Sequence, residues 1–168
     1  WLLEVAWSGH RVVACRTGKH LGLYADDLRE WTQPCAAIGL TLIDLPADDF
    51  VIEGFLCVLD ARGCPDFAAL KERVATGSGG ALVLVAWDCL RLRGADLRAE
   101  PLRERRERLK ELIPPKTNVV MSEELEGSLA HVLKTVKALG LPGVFARSAS
   151  GEAMAISATG ALLEVGRS

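Results

Sequence analysis

The chain has 168 residues, of which 49% are hydrophobic and 25% charged, with a net charge of −2. A length of this order sets a prior of one domain, and folding would bury roughly 70% of its extended surface, enough core to stand without staples. The apolar content excludes a disordered chain, the lack of any recurring period excludes a repeat array, and the charge balance leaves DNA binding to a local patch at most.

Strand-like runs at Leu2 to Trp7, Arg11 to Cys15 and Leu21 to Tyr24, parted by Ser8-Gly9 and Thr17-Gly18-Lys19, predict an antiparallel meander. Trp31 to Leu40 reads as a weak helix broken by Pro34, followed by a loop over Leu45 to Asp49. Phe50 to Leu59 is an apolar strand, Ala61-Arg62-Gly63 a turn, and Asp66 to Val74 a short helix. The tract Gly77-Ser78-Gly79-Gly80 lacks the Lys-Ser/Thr ending of a phosphate-binding loop and reads as a connector.

Ala81 to Cys89 is a strand, fully apolar until Asp88. Glu100 to Ile113 is a helix with Pro101 near its first position and Leu102, Leu109, Leu112 and Ile113 on its apolar side. Its charges, Arg103 to Arg108, read as a solvated face laced with i,i+3 and i,i+4 pairs, with a DNA-facing role the lesser alternative. Pro114-Pro115 ends it, and Asn118 to Met121 is a short strand. Ser122, followed by Glu123 and Glu124, predicts the start of a helix reaching Leu139, with Lys134 and Lys137 suited to its carboxyl end. Three last strands follow at Val144 to Arg147, Ala153 to Ile156 and Ala161 to Val165. Strands in runs with interspersed helices predict one α+β domain over 1–168, with no dividing linker.

The longest apolar run, Ala81 to Trp87, is far short of the ~18 residues of a membrane span, so no membrane partner is expected. The amino-terminal Trp1-Leu2-Leu3-Glu4 carries neither a charged leader nor a cleavage site. Cys15, Cys35, Cys57, Cys64 and Cys89 form no Cys-x-x-Cys pair and no zinc spacing. Their odd number and apolar neighbours suggest reduced thiols in a cytoplasmic protein, without structural metal. His10, His20 and His131 are scattered, at no triad or metal spacing.

Three stretches carry a family resemblance: Trp87-Asp88-Cys89-Leu90, then Arg93-Gly94-Ala95-Asp96-Leu97-Arg98, then Pro101-Leu102-Arg103-Glu104-Arg105-Arg106. In order and wording they resemble the adenylation domain of ATP-dependent DNA ligases, and within that family most resemble the ligase domain of bacterial end-joining ligases. Leu59 to Phe67 resembles the family hairpin after its third motif, and Leu21 to Thr32 a strand and turn ahead of its first helix. The resemblance covers nearly the whole chain. It implies a nucleotidyltransferase fold of antiparallel sheets with flanking helices, here without the oligonucleotide-binding domain that normally follows.

The resemblance also implies a lysine that attacks the α-phosphate of ATP, with a divalent cation and further lysines supporting the phosphates. The nucleophile motif, Glu-x-Lys-x-Asp-Gly-x-Arg, corresponds to Glu4-Val5-Ala6-Trp7-Ser8-Gly9-His10-Arg11, so Ala6 stands at the lysine and Ser8 at the aspartate. Shifting the register restores no amine, since the next lysine is Lys19. The third motif, Asp-Gly-Glu, corresponds to Glu53-Gly54-Phe55, and the fourth, Glu-Gly-x-x-x-Lys, to Pro142-Gly143-Val144-Phe145-Ala146-Arg147. The two-lysine fifth motif aligns loosely with Glu164-Val165-Gly166, and the family's turn arginine falls at Asp26. The catalytic set is thus read as lost at Ala6, Phe55, Pro142, Glu164 and Gly166, with metal support gone.

On the adenine side the resemblance places Glu4 at the base-recognising glutamate and Trp87 at the stacking aromatic, with Arg11 and Arg147 as retained cations. Beside these readings stand plain ones: Glu4 as a strand carboxylate, Trp87 as a core aromatic, Arg11 in a structural ion pair, and Phe55 and Phe145 filling the cavity themselves. Asp88 and Asp96 are read as capping and turn residues without a catalytic task. The expectation is a ligase-like domain without nucleotidyl transfer, a binding or scaffolding module of bacterial end joining, with at best weak ATP or AMP binding. Its partners would be DNA held weakly, a DNA-repair protein, or a second copy. The alternatives are an active ligase or nucleotidyltransferase with relocated residues, for which Lys116, Lys134 and Lys137 are the only lysines of the carboxyl-terminal third, and an adenine-nucleotide sensor.

Overall fold

The computed structural model describes residues 1–150 and 152–163. Ten strands and four helices run in the order β1 (Leu2–Val5), β2 (His10–Thr17), β3 (His20–Ala25), α1 (Ala36–Ile43), β4 (Asp49–Val58), α2 (Phe67–Thr76), β5 (Leu82–Leu92), β6 (Ala95–Asp96), α3 (Leu102–Leu112), β7 (Val119–Met121), α4 (Leu129–Ala138), β8 (Gly143–Arg147), β9 (Ala153–Ser157) and β10 (Leu162–Leu163). One sheet has the order β3-β2-β4-β5-β6, with β7 joined parallel to β5; the other has the order β1-β8-β9-β10. The architecture is α+β, with one parallel pair in otherwise antiparallel sheets.

The larger core lies on the six-stranded sheet. Phe50, Ile52 and Leu56 of β4 pack with Ile38 and Leu42 of α1, Leu70 of α2, and Leu109 and Leu112 of α3, all fully buried. A smaller core holds Val132 and Val136 of α4 against Val144 of β8. The α2 helix is capped at both ends: Asp66 accepts a hydrogen bond from the Ala69 backbone, and Gly77 closes the helix in the left-handed region. All five cysteines are free, and burial pushes the Cys57 thiol up to about 12.

Two sequence expectations change. The opening meander holds for β2 and β3, but β1 leaves it and pairs with β8, so residues 6–9 bridge the two sheets. Both faces of β1 are used there: Glu4 is buried on one, against Arg106 of α3 and Arg147 of β8, and Leu3 packs on the other against the smaller core. Ser122 does not open a helix. Its backbone N–H donates to Ala86, Leu125 donates to Leu3, and Glu124 bridges Glu4, which together hold the segment extended. The cap is Ser128, whose hydroxyl accepts from the His131 backbone. Of the expected last strand, Ala161 to Val165, Leu162–Leu163 form β10 among the described residues; Glu164, Val165 and the motif residue Gly166 lie outside them.

Candidate functional site

The two sheets face each other across a cleft of about 950 Å³. Its walls bring together most of the residues singled out from the sequence: Ala6 and Ser8 from the bridge, Arg11 from β2, Phe55 from β4, Trp87 and Asp88 from β5, Pro142 and Arg147 beside and on β8. Ala6 extends the β1–β8 ladder by one bond, its N–H donating to the Gly143 carbonyl at 2.9 Å. No lysine lines the cleft among the described residues.

The placement of Trp87 and Asp88 follows from an irregularity in the ladder. Glu53 pairs with Asp88 and Gly54 with Ala86, so Trp87 is the extra residue of a β-bulge. A strict pleat would send neighbours to opposite faces; the bulge turns both Trp87 and Asp88 toward the cleft, while Ala86 and Cys89 stay in the core. It also frees the Trp87 carbonyl, which accepts from Arg106 at 3.0 Å and Arg147 at 3.1 Å.

Beneath the cleft floor runs a chain of five alternating charges. Arg106 of α3 donates to one oxygen of Glu4 at 2.7 Å, and Arg147 donates to the other at 2.6 and 3.0 Å. Arg147 also stands 3.6 Å from Asp88, which accepts both arms of Arg105 at 2.8 Å. The Glu4 side chain is 1% exposed. Charges so buried are tolerated only when hydrogen-bonded and paired, and here each carboxylate oxygen has a guanidinium partner. Arg105 and Arg106 therefore do not form the solvated face read from the helix sequence. Arg106 is buried and Arg105 half-buried in this clasp, and the Glu-Arg-Arg ending of the third matched stretch was the signal for them.

The indole of Trp87 is enclosed by its neighbours. Phe145 lies parallel to it at 9° and 5.2 Å between centroids, and Phe55 meets it edge-on at 4.5 Å. The guanidinium of Arg147 sits 5.2 Å and that of Arg11 5.6 Å from the ring centroid. Its N–H donates to Glu53 at 3.3 Å, and Glu53 also receives Arg11 at 3.0 Å. Arg11 lies 3.8 Å from Asp26 as well. Asp96 accepts from the backbone and side chain of Arg98, and these bonds hold its carboxyl down at about 2. His10, on the cleft wall, meets Trp31 edge-on at 4.8 Å; burial first, and Arg29 second, lower its pKa.

This arrangement can be set against similar proteins. The model of the ATP dependent DNA ligase domain matches residues 1–152. The chain belongs to that family. It is 30% identical over 153 residues to the multifunctional non-homologous end joining protein LigD of Pseudomonas aeruginosa, covering 88% of this chain and 18% of the relative. It is 26% identical over 151 residues to the SPbeta prophage-derived DNA ligase-like protein LigB of Bacillus subtilis, covering 89% and 55%. The crystal structure of the ligase domain from M. tuberculosis LigD superposes with a TM-score of 0.73 at 26% identity, over 88% of this chain and 48% of that one. The chain thus spans about half, or less, of the proteins it matches.

A second similar structure, mycobacterial DNA ligase D complexed with ATP and MES, has the same TM-score at 25% identity. The cleft of the present chain does not fit such a nucleotide in this arrangement. Both Glu4 oxygens are engaged and Trp87 as a residue is 6% exposed. The cleft's arginines, Arg11, Arg98, Arg105 and Arg147, are matched by Asp26, Glu53, Asp88 and Glu100, leaving no net positive charge for phosphates. Among the described residues no three of His, Cys, Asp and Glu are grouped so as to hold a metal ion. Glu53 and Asp88, which a cation could otherwise recruit, are held by Arg11 and Arg105.

Proposed function

We propose that this is a DNA ligase-like domain without nucleotidyl transfer, acting as a binding or scaffolding module in bacterial DNA end joining. One observation supports the reading: Ala6, which the resemblance sets at the nucleophile motif, lines the cleft, and no lysine lines that cleft among the described residues. A methyl group cannot form a phosphoramidate, and an arginine, charged at all accessible pH, is no substitute nucleophile. The link to end joining rests on the family and on the likeness to the LigD ligase domain. DNA, a repair protein or a second copy is the partner class, with the net charge of −2 favouring protein over bare DNA.

The test is incubation with α-labelled ATP and Mg²⁺, followed by a denaturing gel without acid. The expected result is no labelled band at 18.1 kDa. A labelled band would restore the active-enzyme alternative.

A further inference from the structure

We propose that β8 supplies an internal occupant for the recognition pocket of the cleft, so that the chain itself satisfies the groups that would hold a flat, hydrogen-bond-donating ligand. Two features of the cleft could recognise such a ligand: the face of Trp87 and the carboxylate of Glu4. Both are taken by alternate residues of one strand. Phe145 lies parallel on the indole at 5.2 Å, and Arg147 sets its planar guanidinium against the same ring while donating twice to Glu4. A guanidinium is flat, cationic and rich in N–H donors, so it meets an aromatic face and a carboxylate together. Inserting a base between Trp87 and Phe145 needs two van der Waals gaps, about 7 Å between planes. The present separation leaves room for none.

The backbone explains why this occupant is well placed. Residues 145 and 147 fall on one face of β8, and the β1–β8 register sets Phe145 directly opposite Glu4 with Arg147 diagonal to it. Phe55 closes the remaining edge of the indole. The cleft is therefore open at its rim but filled at its recognising floor. The inference rests on the reading of the cleft as a nucleotide site that has lost its chemistry, yet it fails separately from that reading, because its probe carries no phosphate.

The experiment titrates adenosine into the wild-type chain, Phe145→Ala and Arg147→Ala, following the Trp87 indole N–H in a ¹H–¹⁵N spectrum assigned with Trp87→Phe. The expected result is an unmoved signal in the wild type at millimolar adenosine and a saturable shift in Phe145→Ala. The gain in affinity should be at least about tenfold, the scale of one base–aromatic stack. Arg147→Ala, which frees one Glu4 oxygen but leaves Phe145 on the indole, should gain less; Phe145→Ala, which leaves the Glu4 pairs intact, decides the matter. Wild-type binding as tight as that of the variants, or a folded Phe145→Ala that gains nothing, overturns the proposal. Adenylyl transfer to the protein would instead strike at the proposed function and leave this test unaffected.

Discussion

Glu4 and Arg147 sit diagonally across the β1–β8 pair and join by two hydrogen bonds of 2.6 and 3.0 Å, with the Glu4 carboxylate wholly out of solvent. Arg106 takes the other carboxylate oxygen, so this one side chain ties α3 to the smaller sheet. Removing it strands two buried guanidiniums, an error that costs far more than the intact pair contributes. Glu4→Ala is expected to lower unfolding free energy by about 3–5 kcal/mol in urea denaturation. A loss under about 1 kcal/mol, the range of exposed pairs, would mean that the clasp is wet and carries little.

Gly9, Gly54 and Gly143, which fall at motif glycines, are explained by backbone contact. A Cβ on Gly54 would lie 2.6 Å from the Val85 carbonyl and 3.1 Å from the Ala86 Cα, so β4 and β5 would have to part beside the Trp87 bulge. Gly54→Ala is expected to cost at least about 1–3 kcal/mol, as overpacking does. Gly39 is the contrast: within α1 its added Cβ would meet only Leu21, at 3.6 Å. Gly39→Ala should stabilise by about 0.5–1 kcal/mol, through the lower entropy of the unfolded chain. Urea midpoints moving in opposite directions confirm the pair; a shared direction refutes it.

His10 links stability to pH. Burial and Arg29 hold its pKa below the ordinary 6.5, so the unfolded chain takes up this proton at higher pH than the folded one. Where the unfolded state binds more protons, stability rises with pH. The contribution is therefore complete above about 6.5 and is lost as pH falls through the lowered folded value. Urea midpoints measured from pH 7.5 downward should decline in the wild type and decline less in His10→Phe, which keeps a ring against Trp31. Parallel curves for the two proteins would assign the decline to other groups.

The cleft was legible in the sequence to the extent that motif spacing encodes it. Ala6, Phe55, Trp87 and Pro142 are far apart along the chain yet share its walls, because each lies on or directly beside a strand that borders it. The bulge was not legible. An unbroken apolar run such as Ala81 to Trp87 has no alternation to slip, so nothing in it marks the extra residue. The roles of Arg105 and Arg106 were hidden differently. In a run of six charges every residue looks solvated, and only Asp88 and Glu4, brought in from β5 and β1, distinguish the two that turn inward. Ser122 shows the same limit: its hydroxyl, suited to a cap, instead accepts from the Trp7 indole N–H at 3.2 Å, while its backbone N–H pairs with Ala86.

Restoring the missing amine tests how deeply the site has changed. Ala6→Lys would place an ammonium on the cleft wall, near Gly143 and Pro142. A nucleophile alone gains little without groups that orient the phosphates and offset their developing charge. Those groups are lacking: Phe55 and Pro142 offer no ligand atoms from their side chains, while Asp88 and Glu53 are already committed to arginines. The expected outcome is a folded variant that yields no labelled adenylate with α-labelled ATP and Mg²⁺. Adenylate formation after this single change would mean that the supporting pocket is intact, and that loss of one amine is the whole difference between this chain and a working adenylation domain.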